Sequence, residues 1–170
     1  LAARADRVVV FTGAGVSSEI GIPVFRDPGG MWRRHRPEEL ATLEAFLSDP
    51  PLVWSWYRHR ALAALAAEPN AGHRALVEME RLVPAFLLVT QNVDDLLEGG
   101  ETADRDLLPV VGTSCVVYPA ASLPAPAREA GAAVVEVNVE TTPLAGETDI
   151  SIRGTSAEVL PRIIDRIAEI

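Results

Sequence analysis

Short apolar runs alternate along the chain with longer stretches in which apolar residues recur at helical spacing. The apolar runs are predicted to form strands buried on both faces, at residues 7–12, 85–90, 107–111, 133–137 and 149–152. Because strands that alternate with helices pair in parallel, the sequence predicts a Rossmann-like α/β fold, a doubly wound parallel sheet with helices on both faces. Pro109 lacks an N–H group, which favours an edge strand or a first strand position for its run.

Helical signals fill most of the chain between the first two strands. Asp49 before two prolines marks a helix start, and four apolar side chains recur at helical spacing behind it: Trp54, Tyr57, Leu62 and Leu65. Asn70 is predicted to cap a second helix that carries Leu76, Met79 and Leu82. Residues 156–170 are predicted to close the chain as an amphipathic helix, with one side formed by Val159, Leu160, Ile163, Ile164 and Ile167.

Three shorter segments have weaker signals. Ser17 or Ser18 is predicted to cap a short helix after the first strand. Residues 21–36 are rich in glycine, proline and arginine and are predicted to form a long loop, and such ordered loops are usually functional. Residues 120–130 are predicted to form a weak helix that Pro124 and Pro126 break.

The composition is that of one globular domain, with 170 residues of which 48% are hydrophobic and 23% charged. The net charge of −9 argues against a nucleic-acid-binding protein, although a basic peptide still suits it as a substrate. The single cysteine, Cys115, excludes an internal disulfide and a zinc site built from several cysteines. With no signal peptide and no apolar run of the ~20 residues that a membrane span needs, we expect a cytoplasmic protein without a membrane partner.

Polar or glycine-rich segments follow four of the predicted strands. They are Gly13-Ala14-Gly15, Gln91-Asn92-Val93-Asp94, Gly112-Thr113-Ser114 and Asn138-Val139-Glu140. Ligands of parallel sheets bind at the carboxyl ends of the strands, so we expect a binding site there. The first turn suits a phosphate at a helix start, yet Ser18 replaces the third glycine of the usual dinucleotide fingerprint and its acidic residue has no clear counterpart. From this turn alone, nucleotide binding and a plain tight turn are equally good interpretations.

The tryptophans, the histidines and the cysteine are interpreted as structural. Core or loop anchors are expected at Trp32, Trp54 and Trp56, and structural or solvated side chains at His35, His59 and His73. Cys115 follows a buried strand and is expected to be a packed thiol rather than a nucleophile.

Residues 13–26 read GAGVSSEIGIPVFR, and three further motifs follow them in order along the chain. The segment resembles the sirtuin signature GAGxSxxxGIPxFR, and residues 91–94 are similar to the second motif of that family. Residues 112–114, with VYPAA at 117–121, resemble the third motif, and residues 138–140 the fourth. The resemblance implies an NAD-dependent protein-lysine deacylase, which transfers the acyl group of an acylated protein or peptide to ADP-ribose and releases nicotinamide.

The resemblance also implies a role for each matching position. Phe25 is expected beside the nicotinamide, and Arg26 beside the phosphates and ribose. Asn92 and Asp94 are the expected catalytic residues, since they would hold the nicotinamide end in a reactive pose, and Gln91 would contact the adjacent ribose. Ser114 would contact phosphate, and Asn138 and Glu140 the adenosine side. The remaining cofactor-binding positions are Gly13, Ala14, Gly15, Ser17, Ile22, Trp32, Gly112, Thr113, Val139 and Ser156.

The chain departs from the family after Asp94. A sirtuin continues there to a His-Gly motif and two cysteine pairs that bind zinc, whereas this chain has no histidine after His73 and reaches the next strand at once. Three explanations are open: an omitted segment near residues 97–105, a truncated protein, or a non-catalytic relative that only binds NAD or ADP-ribose. Intact motifs on both flanks favour omission, so we predict that the segment around Leu97 to Glu101 borders a chain break. A more distant alternative is another doubly wound nucleotide-binding domain that shares only the glycine turn.

A second resemblance concerns the acyl group. Tyr57 and Arg60 lie at i and i+3 on one helix face, like the Tyr-x-x-Arg pair of sirtuins that remove succinyl or malonyl groups. Ala41 matches the small residue that widens their acyl pocket. Arginine can bind a distal carboxylate through two parallel hydrogen bonds, whereas a packed aromatic beside an exposed arginine is the plain structural alternative. Residues 1–170 are therefore expected to form one NAD-binding domain with a helical insertion at about 37–82.

Overall fold

The computed structural model describes residues 5–20, 40, 42–92, 106–116 and 120–169. The chain forms two compact units, one comprising residues 1–16 and 69–170 and the other residues 17–68. The second unit ends at Glu68, before the helix that Asn70 caps. That helix therefore belongs to the first unit.

The first unit is built on a five-stranded parallel sheet. Its strands are β1 (Arg7–Thr12), β2 (Ala85–Thr90), β3 (Leu107–Val111), β4 (Ala133–Asn138) and β5 (Ile150–Arg153). Their order across the sheet is β2-β1-β3-β4-β5, with every neighbouring pair parallel. The predicted strands are confirmed, with β5 shifted by one residue, and so is the predicted Rossmann-like fold.

The expectation of an edge position for Pro109 is wrong. Strand β3 lies between β1 and β4, and all five of its residues are buried. The structure accommodates the proline by interrupting one ladder: β3 pairs with β4 along its whole length, whereas Leu108 and Pro109 have no partner in the β1 register. Since proline cannot donate to a ladder, the loss falls on one side of the strand only.

The helices are α1 (Leu43–Ser48), α2 (Pro50–Leu65), α3 (Ala71–Leu82), α4 (Pro124–Glu129) and α5 (Ser156–Ala168). The predicted caps of α2 and α3 are confirmed: Asp49 accepts from the Leu52 N–H at 3.0 Å, and Asn70 accepts from the His73 N–H at 3.0 Å. No helix in the described ranges is long and apolar enough to cross a membrane.

Two local predictions need correction. The short helix after β1 is a 3-10 helix that begins at Ala14, so Ser17 and Ser18 lie inside it and do not cap it. Pro124 and Pro126 do not break a helix but lie in the first turn of α4, after a 3-10 turn at Ala120–Ser122. Proline is well suited to a first turn because the N–H groups there have no partner within the helix.

The sheet is covered on both faces. One core layer packs α3 and α5 against it and contains Val8, Val10, Leu76, Met79, Leu160 and Ile164. The other layer contains Phe11, Leu108, Val134, Ala127 of α4 and Leu144 of a 3-10 turn at Pro143–Gly146. The buried face predicted for α5 is confirmed.

Helix α2 belongs to the second unit, and the spacing of its apolar residues predicts the helix but not which side is buried. Trp54, Tyr57, Leu62 and Leu65 are all exposed. The buried residues of α2 are Val53 and Trp56, so the expectation of an anchor is confirmed for Trp56 and wrong for Trp54. Trp32 lies outside the described residues.

Candidate functional site

The carboxyl ends of four adjacent strands lie at one edge of the sheet. Thr12 at the end of β1 is level with Thr90 of β2 and with Val111 of β3, which is level in turn with Val137 of β4. The polar segments that follow these strands therefore emerge side by side, as the sequence predicts. Parallel sheets bind ligands at this edge.

The glycine turns after β1 and β3 pack backbone against backbone. The N–H of Gly13 donates to the Val111 carbonyl at 3.1 Å, and that of Gly15 donates to the Gly112 carbonyl at 2.8 Å. A Cβ on Gly15 would lie 2.6 Å from the Gly112 oxygen, and Gly112 itself has φ of 61°. The glycines are thus required by the fit of the two turns, and the N–H groups of Gly13 and Gly15 are already used within the fold.

Thr113 connects the other polar segments. Its hydroxyl accepts from Gln91 Nε2 at 2.8 Å, and its carbonyl accepts from Asn138 Nδ2 at 2.8 Å. Gln91 is also fixed through its N–H, which donates to the Thr12 carbonyl at 3.1 Å. Residues predicted from three separate motifs are therefore joined by direct hydrogen bonds.

The neighbouring predicted residues lie close to this network along the chain. The Asn92 N–H donates to the Thr90 hydroxyl at 3.0 Å, and Ser114 is half-buried. After β4, the Glu140 N–H donates to Asn138 Oδ1 at 3.3 Å, while the side chains of Val139 and Glu140 are exposed. The turn after β4 thus combines a fixed amide with two side chains that are open to a ligand.

Ser156 and Asn70 hold the far end of the first glycine turn. Asn70 Nδ2 donates to the Val16 carbonyl at 2.7 Å, and the buried Ser156 hydroxyl donates to the same carbonyl at 3.4 Å. His73 is buried and forms a capping box with Asn70 at the start of α3, which confirms a structural role for that histidine. His59 is exposed, and His35 lies outside the described residues.

Thr12 is a site residue that the sequence does not indicate. It is fully buried at the end of β1, and its hydroxyl has no hydrogen-bond partner among the described residues. A buried unsatisfied hydroxyl costs on the order of 1–3 kcal/mol. Burial of the predicted strand on both faces assigns Thr12 to the core and says nothing of this hydroxyl.

Tyr57 and Arg60 of α2 both contact Trp56. The Tyr57 ring meets the Trp56 ring edge-on, with 4.5 Å between centroids. The Arg60 guanidinium lies over the Trp56 ring, 5.4 Å from its centroid. The structure therefore places the predicted pair around one buried tryptophan, with Tyr57 exposed and Arg60 half-buried.

Cys115 lies just after the Thr113 network. Burial raises the pKa of its thiol to about 11, although a hydrogen bond to Thr113 acts in the opposite direction. The thiol is therefore protonated at neutral pH, which supports a packed residue rather than a nucleophile.

Several predicted positions lie outside the described residues. They are Ile22, Phe25, Arg26, Trp32, Ala41 and Asp94, together with the loop at 21–36 and the segment around Leu97 to Glu101 that is predicted to border a chain break. Within the described part of the chain, no group of three or more His, Cys, Asp or Glu residues is arranged to hold a metal ion. With one cysteine in the chain, the residues present do not fit the zinc site of the resemblance.

Comparison with known proteins decides the family. The family model described as Sir2 matches residues 13–101. The NAD-dependent protein deacylase 2 of Pyrobaculum aerophilum is 38% identical, over 98% of this chain and 93% of the relative. The chain belongs to the Sir2 family. The family predicted from the four motifs is thereby confirmed.

Other relatives of this Sir2 chain agree in sequence and fold. The NAD-dependent protein deacylase 1 of Pseudomonas aeruginosa is 35% identical, over 98% of this chain and 96% of the relative. A solved Sir2 homologue in complex with NAD is 33% identical, with a TM-score of 0.89 over 99% of this chain and 91% of that chain. The Pyrobaculum alignment extends over 232 residues, against 170 in this chain, so that relative has internal residues without a counterpart here.

Proposed function

We propose that this protein is an NAD-dependent protein-lysine deacylase with NAD as its cofactor. The observation that carries the proposal is the Thr113 network, which joins Gln91 and Asn138 from separate Sir2 motifs at the ligand-binding edge of the sheet. The proposal is further supported by relatives that are named NAD-dependent protein deacylases and are 35–38% identical over nearly the whole chain.

The edge suits a dinucleotide because it offers neutral hydrogen-bonding groups at closely packed glycine turns. Amides and hydroxyls bind ribose and phosphate without a full positive charge. Such groups therefore allow an acidic chain, with a net charge of −9, to bind an anionic dinucleotide. We assign Ser114 to phosphate, Gln91 and Asn92 to the nicotinamide end, and Asn138 with Glu140 to the adenosine end. When bound, NAD supplies the ribose carbon that accepts the acyl oxygen.

The missing base belongs to the same proposal. No histidine follows His73, and the Pyrobaculum relative has internal residues that this chain lacks. We assign the general base and the zinc ligands to a segment omitted near residues 97–105, in the region where the Sir2 match ends. An intact mass several kilodaltons above 18.2 kDa for the natural polypeptide supports omission. A mass of 18.2 kDa contradicts it.

The substrate in this proposal is an acylated lysine on a protein or peptide. Tyr57 and Arg60 bind the distal carboxylate of a succinyl or malonyl group, with the Arg60 guanidinium placed over the ring of Trp56. The enzyme removes these groups as well as acetyl. A cytoplasmic location is part of the proposal, because the chain uses a single cysteine.

A titration with ADP-ribose tests the cofactor assignment directly. Asn138→Ala removes the amide that links β4 to Thr113, and its Kd for ADP-ribose is expected to rise by roughly tenfold or more, since a lost hydrogen bond of about 1.4 kcal/mol corresponds to tenfold. Asp106→Asn is the matched control, because Asp106 lies at the opposite end of β3 and binds Arg7. Equal affinity of Asn138→Ala and Asp106→Asn contradicts the assignment.

A non-catalytic NAD- or ADP-ribose-binding module is the second candidate, and the absence of a histidine after His73 favours it. The two candidates differ in turnover rather than in binding. The deacylase converts an acyl-lysine peptide when NAD is present, whereas the module binds ADP-ribose and leaves the peptide unchanged. All fifteen basic residues counted as Lys or Arg in this chain are arginines. Its 170 residues therefore contain no lysine whose own acyl group could be released in the assay.

A further inference from the structure

Glu136 is a buried carboxylate inside strand β4. It is the only Asp or Glu among the buried residues of the part of the chain described, with 0% of its surface exposed. Three groups donate to it: the Thr142 hydroxyl, the Ser151 hydroxyl at 2.8 Å and Arg153 Nη1 at 3.3 Å. A buried charge requires such partners, so Glu136 fixes the positions of groups on two neighbouring elements.

Arg153 extends this contact to the segment that follows β4. Its Nη1 donates both to Glu136 and to the backbone carbonyl of Glu140, the latter at 2.5 Å. Ser151 and Arg153 are two positions apart in β5 and therefore share one face of the sheet. Glu136 is level with Ser151 in the neighbouring strand, so all three side chains project from that face. The guanidinium thus lies between the buried carboxylate and the turn.

The segment from Asn138 to Thr142 is held at three points. Asn138 donates to the Thr113 carbonyl, Arg153 binds the Glu140 carbonyl, and Thr142 donates to Glu136 while accepting from the Leu144 N–H at 3.1 Å. Two of these three points depend on Glu136. The turn is thus fixed by the side chains of Asn138 and Thr142 and by the Glu140 carbonyl, whereas the side chains of Val139 and Glu140 are exposed.

We propose that Glu136 and Arg153 are positioning residues for the cofactor, which hold the turn at residues 138–142 in the shape that binds the adenosine end of NAD. The inference rests on the proposed function, since that function assigns Asn138 and Glu140 to adenosine. Neither Glu136 nor Arg153 touches the cofactor in this account. Their effect is on NAD affinity and not on the acyl group or the chemical step.

The test compares ADP-ribose affinity in Arg153→Met, Arg153→Lys and Glu136→Gln. Arg153→Met removes the contact with the Glu140 carbonyl, and its Kd is expected to rise about tenfold, which corresponds to about 1.4 kcal/mol. Arg153→Lys should recover part of the affinity, because an ammonium group can donate to the Glu136 carboxylate or to the Glu140 carbonyl but lacks the planar fork of a guanidinium. In the deacylase assay of the full polypeptide, the KM for NAD should rise while kcat and the KM for peptide stay unchanged.

Arg166→Met is the matched control, because Arg166 near the end of α5 pairs with Glu169 just after the helix, both side chains are exposed, and the loss of this pair should leave the Kd unchanged. If a folded Arg153→Met variant binds ADP-ribose as tightly as the unchanged protein, the positioning role of Glu136 and Arg153 is wrong, but the proposed function stands. If that variant does not fold, unchanged affinity in both Arg153→Lys and Glu136→Gln overturns it. Failure of the unchanged protein to bind ADP-ribose overturns the proposed function, and the inference with it.

Discussion

The packing of the two glycine turns predicts different losses in the free energy of unfolding when individual glycines are replaced by alanine. A Cβ on Gly15 would lie 2.6 Å from the Gly112 oxygen, and a Cβ on Gly112 would lie 2.5 Å from the Val16 nitrogen. Both neighbours are backbone atoms, which cannot move aside as a side chain can. Gly112 also has φ of 61°, whereas Gly131 has φ of 87° with nothing near its Cβ position, and Gly146 has neither problem. The four glycines therefore separate steric clash from backbone strain.

The expected costs follow from these two effects. Gly146→Ala should change the free energy of unfolding by less than ~1 kcal/mol. Gly131→Ala should cost about 1–2 kcal/mol for left-handed backbone, and Gly15→Ala about 1–3 kcal/mol for overpacking. Gly112→Ala combines both effects and should cost about 2–5 kcal/mol.

Equilibrium urea unfolding measures these differences from the midpoint and slope. An ADP-ribose titration of the folded variants then tests the link to function: Gly15→Ala and Gly112→Ala should bind more weakly, while Gly131→Ala and Gly146→Ala should bind normally. Equal stability of Gly15→Ala and Gly146→Ala would refute the steric reasoning. Normal ligand affinity in a folded Gly112→Ala variant would separate these turns from the binding site.

Three further predictions concern single side chains. Thr12→Val should leave the melting temperature unchanged or raise it, because it removes a buried hydroxyl that has no partner among the described residues; a clear drop in Tm would show that the hydroxyl is satisfied. Arg60→Met in the full polypeptide should lower kcat/KM for a succinyl-lysine peptide by roughly ten- to a hundredfold more than for the acetyl peptide, and Tyr57→Phe should act in the same direction but less; equal losses on both peptides would refute acyl recognition by Arg60. Cys115 should react slowly with iodoacetamide at pH 8 and faster as the pH approaches its raised pKa of about 11, because only the thiolate is nucleophilic; rapid labelling of the folded protein at pH 8 would contradict the burial of the thiol.

The strands could be predicted from sequence because burial on both faces leaves little freedom in residue type. The run at β1 is apolar from Val8 to Phe11, and its bounds agree with the structure. Strand β5 lies at the edge and is mostly exposed, so its pattern is weaker and its predicted start was one residue early. The edge position predicted from Pro109 is wrong because an inner strand can lose pairing with one neighbouring strand and keep it with the other. This depends on the partner strands and not on local sequence.

Helix α2 shows where periodicity fails. Its apolar residues lie around the whole helix, so a spacing of three or four positions does not select one face. The structure buries Val53 and Trp56 instead of Trp54.

The candidate site could likewise be predicted from sequence only in part. The four edge segments could be predicted, since parallel strands end together, but the Thr113 network depends on register between three strands. Glu136 was missed, although a lone carboxylate in an otherwise apolar strand is a signal that sequence does offer.

To test the deacylase assignment, the natural polypeptide is incubated with an acyl-lysine peptide, with and without NAD, and the peptide is followed by mass spectrometry. We expect loss of the acyl group only in the presence of NAD, together with one nicotinamide released for each lysine freed. An unchanged peptide in the presence of NAD, from a protein that binds ADP-ribose, would contradict the deacylase and leave a binding module in its place.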